Sequence, residues 1–276
     1  MQVLREERLA VSTGRWSMSG RDFYELDHDG VRLTMPRVTS ILSVIDKSGP
    51  LMGWAVGCER RAFEQALSEV LTHPDTGGHQ DVYDRVMRAV KGQRASVREA
   101  DKAKDIGLAA HKWIEWYTRN LLGELGIEDE PDLTEPSMRA VTAFLDWARG
   151  VAFTPLMAER VVYCPNCAYA GTFDCVGKVS GLVMLIDWKT GKAVYPEAHL
   201  QNIAYRHAAR REGIETDGGL IVRLPKTEKD PELEAVPVPA IPYGYFQSVR
   251  RVWEWTRKMD DRPTGEPMTR CAGAGR

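Results

Sequence analysis

Residues 171–191 read GTFDCVGKVSGLVMLIDWKTG, and this stretch decides the fold. Two strand-like runs flank Ser180-Gly181, the tightest turn available between them. A two-residue loop there pairs Val179 with Leu182, and counting outward sets Asp174 directly opposite Asp187. Like charges facing each other destabilise a sheet, and a buried unpaired carboxylate is costly. A positive charge is therefore expected between them. Lys189, two residues beyond Asp187, projects from the same face and supplies one. A hard divalent cation, which prefers carboxylate oxygens, would supply the rest. The plainer alternative is a solvated Asp-Lys cluster on an edge strand, which would be worth almost nothing.

Outside this stretch, the 276 residues suffice for one large domain or two small ones. The chain is 43% hydrophobic and 28% charged, a globular composition without low-complexity tracts. A formal net charge of -2 excludes a generally basic nucleic-acid coat, so phosphate contacts must come from local patches or bound metal. The segment MQVLREERLA carries charges where a signal peptide needs an apolar core, and no run reaches membrane-spanning length. Five cysteines without a secretion signal argue for reduced thiols in a cytoplasm.

Along the chain, RDFYELDHDGVRLTM reads as a hairpin around Asp29-Gly30. PRVTSILSVI, from Pro36, carries a helical rhythm, and GPLMGWAVGCERRAFEQALSEVL continues as a second helix. Further helices are expected over Val82–Val90, Val97–Leu122 and Ser137–Arg149. The texture then changes to strand, strand, strand, helix, strand, helix. The expected fold class is α/β: a restriction-endonuclease-like mixed β-sheet core flanked by helices, with a helical N-terminal half. The expected organisation is an N-terminal segment (1–20, partly disordered), a hairpin and helical half (21–150), a sheet core (151–259) and a flexible tail (260–276).

Three features strengthen the reading of the acidic pair. The run ending in Asp187 is nearly continuously apolar, so the sheet should be covered on both faces there. The helix that follows offers Gln201 and Tyr205 four residues apart on one face. An upstream helix carries Gly107, His111 and Glu115 at the same spacing, with the glycine permitting close backbone approach.

Taken together, GLAAH, GTFD, IDWKTG and QNIAY resemble the motifs of the RecB-like branch of the PD-(D/E)XK nuclease superfamily. MPRVTSIL followed by LMGWAVG also resembles the opening of phage-encoded exonucleases of that group, and the resemblance spans about 35–209. It implies a metal-dependent DNA exonuclease using Mg²⁺ or Mn²⁺, in phage recombination or replication. The implied metal ligands are Asp174, Asp187 and His111, with Glu159 ranked below them. Lys189 would orient the attacking water or stabilise charge on the phosphate. Gln201 and Tyr205 would support the site and the DNA strand. Phe173 stands where the superfamily's name has proline, and Asp187 where glutamate is more frequent; a carboxylate is kept.

The implied partners are DNA and a phage recombination partner protein, without a membrane, in the host cytoplasm. Arg206 and Arg210, which follow Tyr205 on the helix, are weak candidates for a DNA path. Two rival functions use the same fold: a structure-specific or restriction-like endonuclease, and a DNA-binding or assembly protein without turnover. Cys164 and Cys167 form C-P-N-C, a spacing that suits zinc or an iron-sulfur cluster. Pro-Asn is also hairpin-turn chemistry, so a reduced hairpin without a cluster is expected. Cys175, on the face opposite Asp174, should be core.

Overall fold

The Ser180-Gly181 hairpin forms with the expected register. Both turn residues have positive φ, 49° at Ser180 and 88° at Gly181, as a type I′ turn requires. Strand β5 (Tyr169–Val179) therefore pairs antiparallel with β6 (Leu182–Thr190) from Val179–Leu182 to Cys175–Ile186. Asp174 and Asp187 stand one step beyond the last of those pairs. On the other side of β5 lies β4 (Thr154–Cys164), antiparallel. Helix α6 (Pro196–Arg211) crosses over so that β7 (Gly218–Leu224) lies parallel to β6, and β8 (Glu234–Pro237) forms the far edge. The sheet order is β4-β5-β6-β7-β8.

The computed structural model describes residues 16–19, 22–28, 31–72, 77–92, 94–124, 129–228 and 230–260. Within them the protein is a mixed α/β fold whose sheet is covered on both faces. Leu185 and Ile186, adjacent on β6, are fully buried in different cores. Leu185 packs with α1 (Val38–Ile41), α6 and α7 (Gly244–Asp260), through Val38, Tyr205, Phe246 and Trp253. Ile186 packs with α4 (Ala95–Leu121) and α5 (Glu135–Gly150), through Ala110, Ile114, Val141 and Phe144. Cys175 is buried in this second core. The second core also takes Trp188, whose ring meets Phe144 edge-on at 5.2 Å. The tryptophan between Asp187 and Lys189 is thus a core residue of the other face.

Helix α5, buried along one face, begins with a capping box, Thr134 and Ser137 satisfying each other's backbone donors, and Pro136 in its first turn. A second sheet, β1 (Trp16–Ser19), β2 (Phe23–His28) and β3 (Val31–Pro36), lies against the β4–β5 end through Tyr24 and Met35. Helices α2 (Ser48–Leu71) and α3 (His79–Ala89) enclose a small core of their own around Ala66, Val70 and Val86. Among the described residues no helix is long and apolar enough to cross a membrane.

Three differences from the sequence reading stand out. Pro36 ends β3 rather than opening a helix, and the helical rhythm after it yields only α1 and a single 3-10 turn, Leu42–Val44. β1 and β8 were not expected; β8 is short and mostly exposed, so its pattern lacks the apolar alternation that marks a strand. The Asp29-Gly30 turn, the tail after 260 and the segment before 16, on which expectations of a turn and of disorder fell, lie outside the described residues.

Candidate active site

The acidic residues sit where the sheet changes phase. Glu159 on β4 has φ 45°, the left-handed region that a β-strand residue avoids. In the β4–β5 ladder Ala158 pairs with Cys175 and Arg160 with Phe173, and Glu159 and Asp174 fall together between those pairs. Side-chain alternation flips there. Phe173 and Val176 lie three apart, an odd spacing, yet both are in the core under α6. Breaks of this kind re-aim a side chain, and here they present two carboxylates, one from each strand.

Asp187 is 1% exposed, and each of its oxygens has one partner. Oδ1 accepts a hydrogen bond from Gln201 Nε2 at 3.2 Å. Oδ2 makes no directional hydrogen bond and has only the Lys189 ammonium, 2.6 Å away. Asp174 Oδ2 accepts the Trp188 backbone N–H at 2.7 Å, which fastens it to the strand carrying Asp187. Gln201 also donates to the Tyr205 hydroxyl at 3.1 Å, so one amide ties the α6 pair to the acid.

Helix α6 is held close enough for this by two fits. A Cβ on Gly171 would lie 2.3 Å from Tyr205 Cε1, so glycine in GTFD is what lets the ring lie on the strand. Asn202, fully buried, donates to Leu185 O at 3.0 Å, and a Cβ on Gly219 would meet its Oδ1 at 2.0 Å. Asn202 was not singled out in the sequence, because its role is a contact across the fold.

From the other side comes α4. Gly107 is buried, and a Cβ there would meet Thr190 Oγ1 at 2.6 Å. One turn on, His111 is half-buried, within reach of the charges of Lys189 and Asp187. Glu115, another turn on, acts on Asp174 and Glu159.

The electrostatics follow from shielding and crowding. Burial pushes the Glu159 carboxyl up to about 8, with Asp174 adding to the effect. Burial likewise lifts Asp174, against the pull of Lys189. Asp187 rises to about 6 for the same reason, Lys189 opposing. Burial would lower the Lys189 ammonium, but Asp187 and Asp174 outweigh it and hold its proton on. His111 is pushed down to about 4 by burial and by Lys189, so it stands neutral with a lone pair free. Among the described residues Lys189 is the one cation ion-paired with any of the three carboxylates.

Glu159, Asp174, Gln201 and Tyr205 line an open pocket of about 470 Å³, which also takes in Tyr24, Arg37 and Thr39. The Arg37 guanidinium lies over the Tyr24 ring at 5.3 Å, and the Tyr24 hydroxyl is 2.8 Å from Thr172 Oγ1. Arg37 comes from the MPRVTSIL segment, whose link to the pocket only the fold reveals.

No family profile matches this chain, and no curated protein does. Solved structures similar to it include SSO0001, at 10% identity over 71% of this chain and 85% of that one, with a TM-score of 0.29. Another is a protein from Eubacterium rectale provisionally named an exonuclease, at 9% identity over 76% of this chain and 93% of that one, with a TM-score of 0.35. At these scores the likeness bears on neither chemistry nor substrate.

Arg206 and Arg210 are not brought to the acids. They line a separate hollow with Ile203, Ile214 and Tyr243, where Arg206 donates to Thr216 at 3.1 Å and Arg210 pairs with Glu215 at 3.0 Å. One step beyond Tyr205 on a helix is a rotation of about 100°, which carries them to another flank. Trp113 is buried in the core and stacked on Tyr117 at 5.4 Å.

Hard cations suit this donor set: three carboxylates and a neutral imidazole, with one buried oxygen, Asp187 Oδ2, lacking a directional bond. Among the described residues no three of these groups bring ligand atoms within 4.8 Å of one another. Mg²⁺ takes only one or two carboxylates directly and keeps several waters.

Proposed function

We propose that this chain is a divalent-cation-dependent deoxyribonuclease of the RecB-like PD-(D/E)XK type, working from DNA ends. The observation that carries the reading is the grouping at a kink in the sheet of Asp187, buried, with the half-buried Glu159 and Asp174, with one ion-paired ammonium among them, beside an open pocket. Shielded carboxylates without compensation are destabilising, and a fold keeps them where they are used. The likeness of MPRVTSIL and LMGWAVG to phage exonuclease openings supports a role in phage recombination or replication.

Asp174 and Asp187 would hold Mg²⁺ or Mn²⁺, with His111 and Glu159 at its margin. When bound, the cation neutralises phosphate charge and makes a water acidic enough to attack near neutral pH. Lys189, kept protonated by its two acidic neighbours, donates to a phosphate oxygen and opposes the charge that builds there. Gln201 fixes the Asp187 carboxylate, and Tyr205 lies on Gly171 along the pocket wall, so both act by positioning.

The test uses end-labelled linear DNA and closed circular DNA, with Mg²⁺, Mn²⁺ or EDTA. Degradation of linear DNA from its ends, absent in EDTA, is expected. Rapid nicking of closed circles would instead establish an endonuclease. No cleavage of any DNA by folded protein with any divalent ion would establish a binding or assembly protein.

A further inference from the structure

A second donor cluster lies at the opposite end of β4 and β5 from the hairpin turn. Cys164 closes β4, Pro165–Cys167 form a single 3-10 turn, and Ala168 at φ 46° turns the chain into β5. His207, on α6 and two residues past Tyr205, comes in over this turn. The two sulfurs and a ring nitrogen of His207 all lie within 4.8 Å of one another. No other group of three such donors is as close among the described residues.

The surroundings hold the histidine in place. Its ring stacks on Tyr243, with centroids 3.7 Å apart and planes 6° from parallel. Its Nδ1 is 3.0 Å from the Tyr169 hydroxyl, which is itself 3.0 Å from Ala204 O. A hydrogen bond that fixes a ring and its tautomer is what metal-bound imidazoles have around them. The Tyr243 hydroxyl is buried beside Cys167 and makes no directional hydrogen bond, leaving a donor for a thiolate ligand. Cys164 is 1% exposed in the core under α6, and Cys167 and His207 are half-buried, so an ion would have a path in.

We propose that Cys164, Cys167 and His207 bind one zinc ion, which fastens the β4–β5 turn to helix α6. Thiolates and imidazole are the ligands zinc prefers, these three leaving a fourth position for water, and two sulfurs fall short of the four cysteines that hold an iron-sulfur cluster. His207 replaces the reading of Cys164 and Cys167 as a plain reduced hairpin. It stands forty residues downstream in the chain, so no local spacing shows it. The ion would act on the helix that carries Gln201 and Tyr205, at a distance from the acids. None of its ligands is one of the acids, so the zinc site does not rest on the nuclease reading.

The full chain, purified without chelator, should contain about one zinc per molecule by elemental analysis. Chelator-treated wild-type protein titrated with Co²⁺ should develop thiolate-to-cobalt absorption that saturates at about one equivalent. Cys167→Ser and His207→Gln, both at half-buried positions, should each cut bound zinc by about ten-fold or more. Asp187→Asn should leave it unchanged. A folded wild type without zinc and without the cobalt band would overturn the site. So would zinc retained in both variants, zinc lost in Asp187→Asn, or iron with cluster absorption.

Discussion

Two donor sets share strands β4 and β5, and they are built in opposite ways. Cys164, Cys167 and His207 are drawn together within 4.8 Å and clamped by tyrosines. Among the described residues no three of Glu159, Asp174, Asp187 and His111 come that close; an ammonium lies against Asp187, and a pocket opens beside Glu159 and Asp174. The first set, two thiols and a neutral imidazole, carries no charge and can close on itself. The second carries carboxyls, which once ionised repel each other unless a cation lies between them. Ionised carboxylates grouped beside a pocket call for a cation, whereas thiols and an imidazole can pack without one.

The largest expected effect tests that distinction directly. Lys189→Ala should lower DNA cleavage by about 10²–10³-fold, as loss of a group that opposes transition-state charge does, with DNA binding retained. Asp187→Asn should lose cleavage together with the thermal stabilisation that Mg²⁺ gives. If either variant cleaves like wild type, the acids are a structural cluster and the comparison fails.

Packing gives the next effect. Gly171→Ala forces a Cβ to within 2.3 Å of Tyr205 Cε1 unless the ring moves. Overpacking of this kind costs about 1–3 kcal/mol, readable in a denaturant titration, and cleavage should fall with it. An unchanged midpoint would mean that Tyr205 is not held by the strand.

The pH response separates the two sets further. In the cation-free chain the folded-state values of Glu159 and Asp187, about 8 and about 6, lie above their ordinary values. The folded chain then holds protons that the unfolded chain has released, so stability falls as pH rises through the range from about 4 to about 8. A cation bound to the ionised acids offsets that loss. The rise in Tm on adding Mg²⁺ should therefore be larger near about pH 8 than near about pH 5. Equal rises at both would contradict the acids as its ligands.

Gln201→Ala should have the smallest effect, about ten-fold on cleavage, since it removes a contact that orients Asp187 and leaves the charges in place. A loss as large as that of Lys189→Ala would give Gln201 a direct part.

Much of this was legible in the sequence because it is local. A two-residue turn fixes a register, and the register placed Asp174, Asp187 and Lys189 before any coordinates. Helical spacing placed Gln201 with Tyr205, and Gly107 with His111. The phase change at Glu159 was not legible, since nothing in the residue type announces a positive φ. Nor was Asn202, nor His207 beside Cys164 and Cys167, since these meet only when α6 packs on the sheet. Arg206 and Arg210, weak candidates for a DNA path, lie on another flank of α6 from Tyr205, with partners of their own.

The central claim is that the shielded acids at the kink work on DNA phosphate through a divalent cation. The most direct measurement incubates end-labelled linear duplex with wild-type protein and with Lys189→Ala, each in Mg²⁺ and in EDTA. Both proteins must bind the DNA, and circular dichroism must show both folded. Wild type should shorten the duplex progressively in Mg²⁺ alone. Wild-type cleavage in EDTA, or equal cleavage by Lys189→Ala, would contradict it.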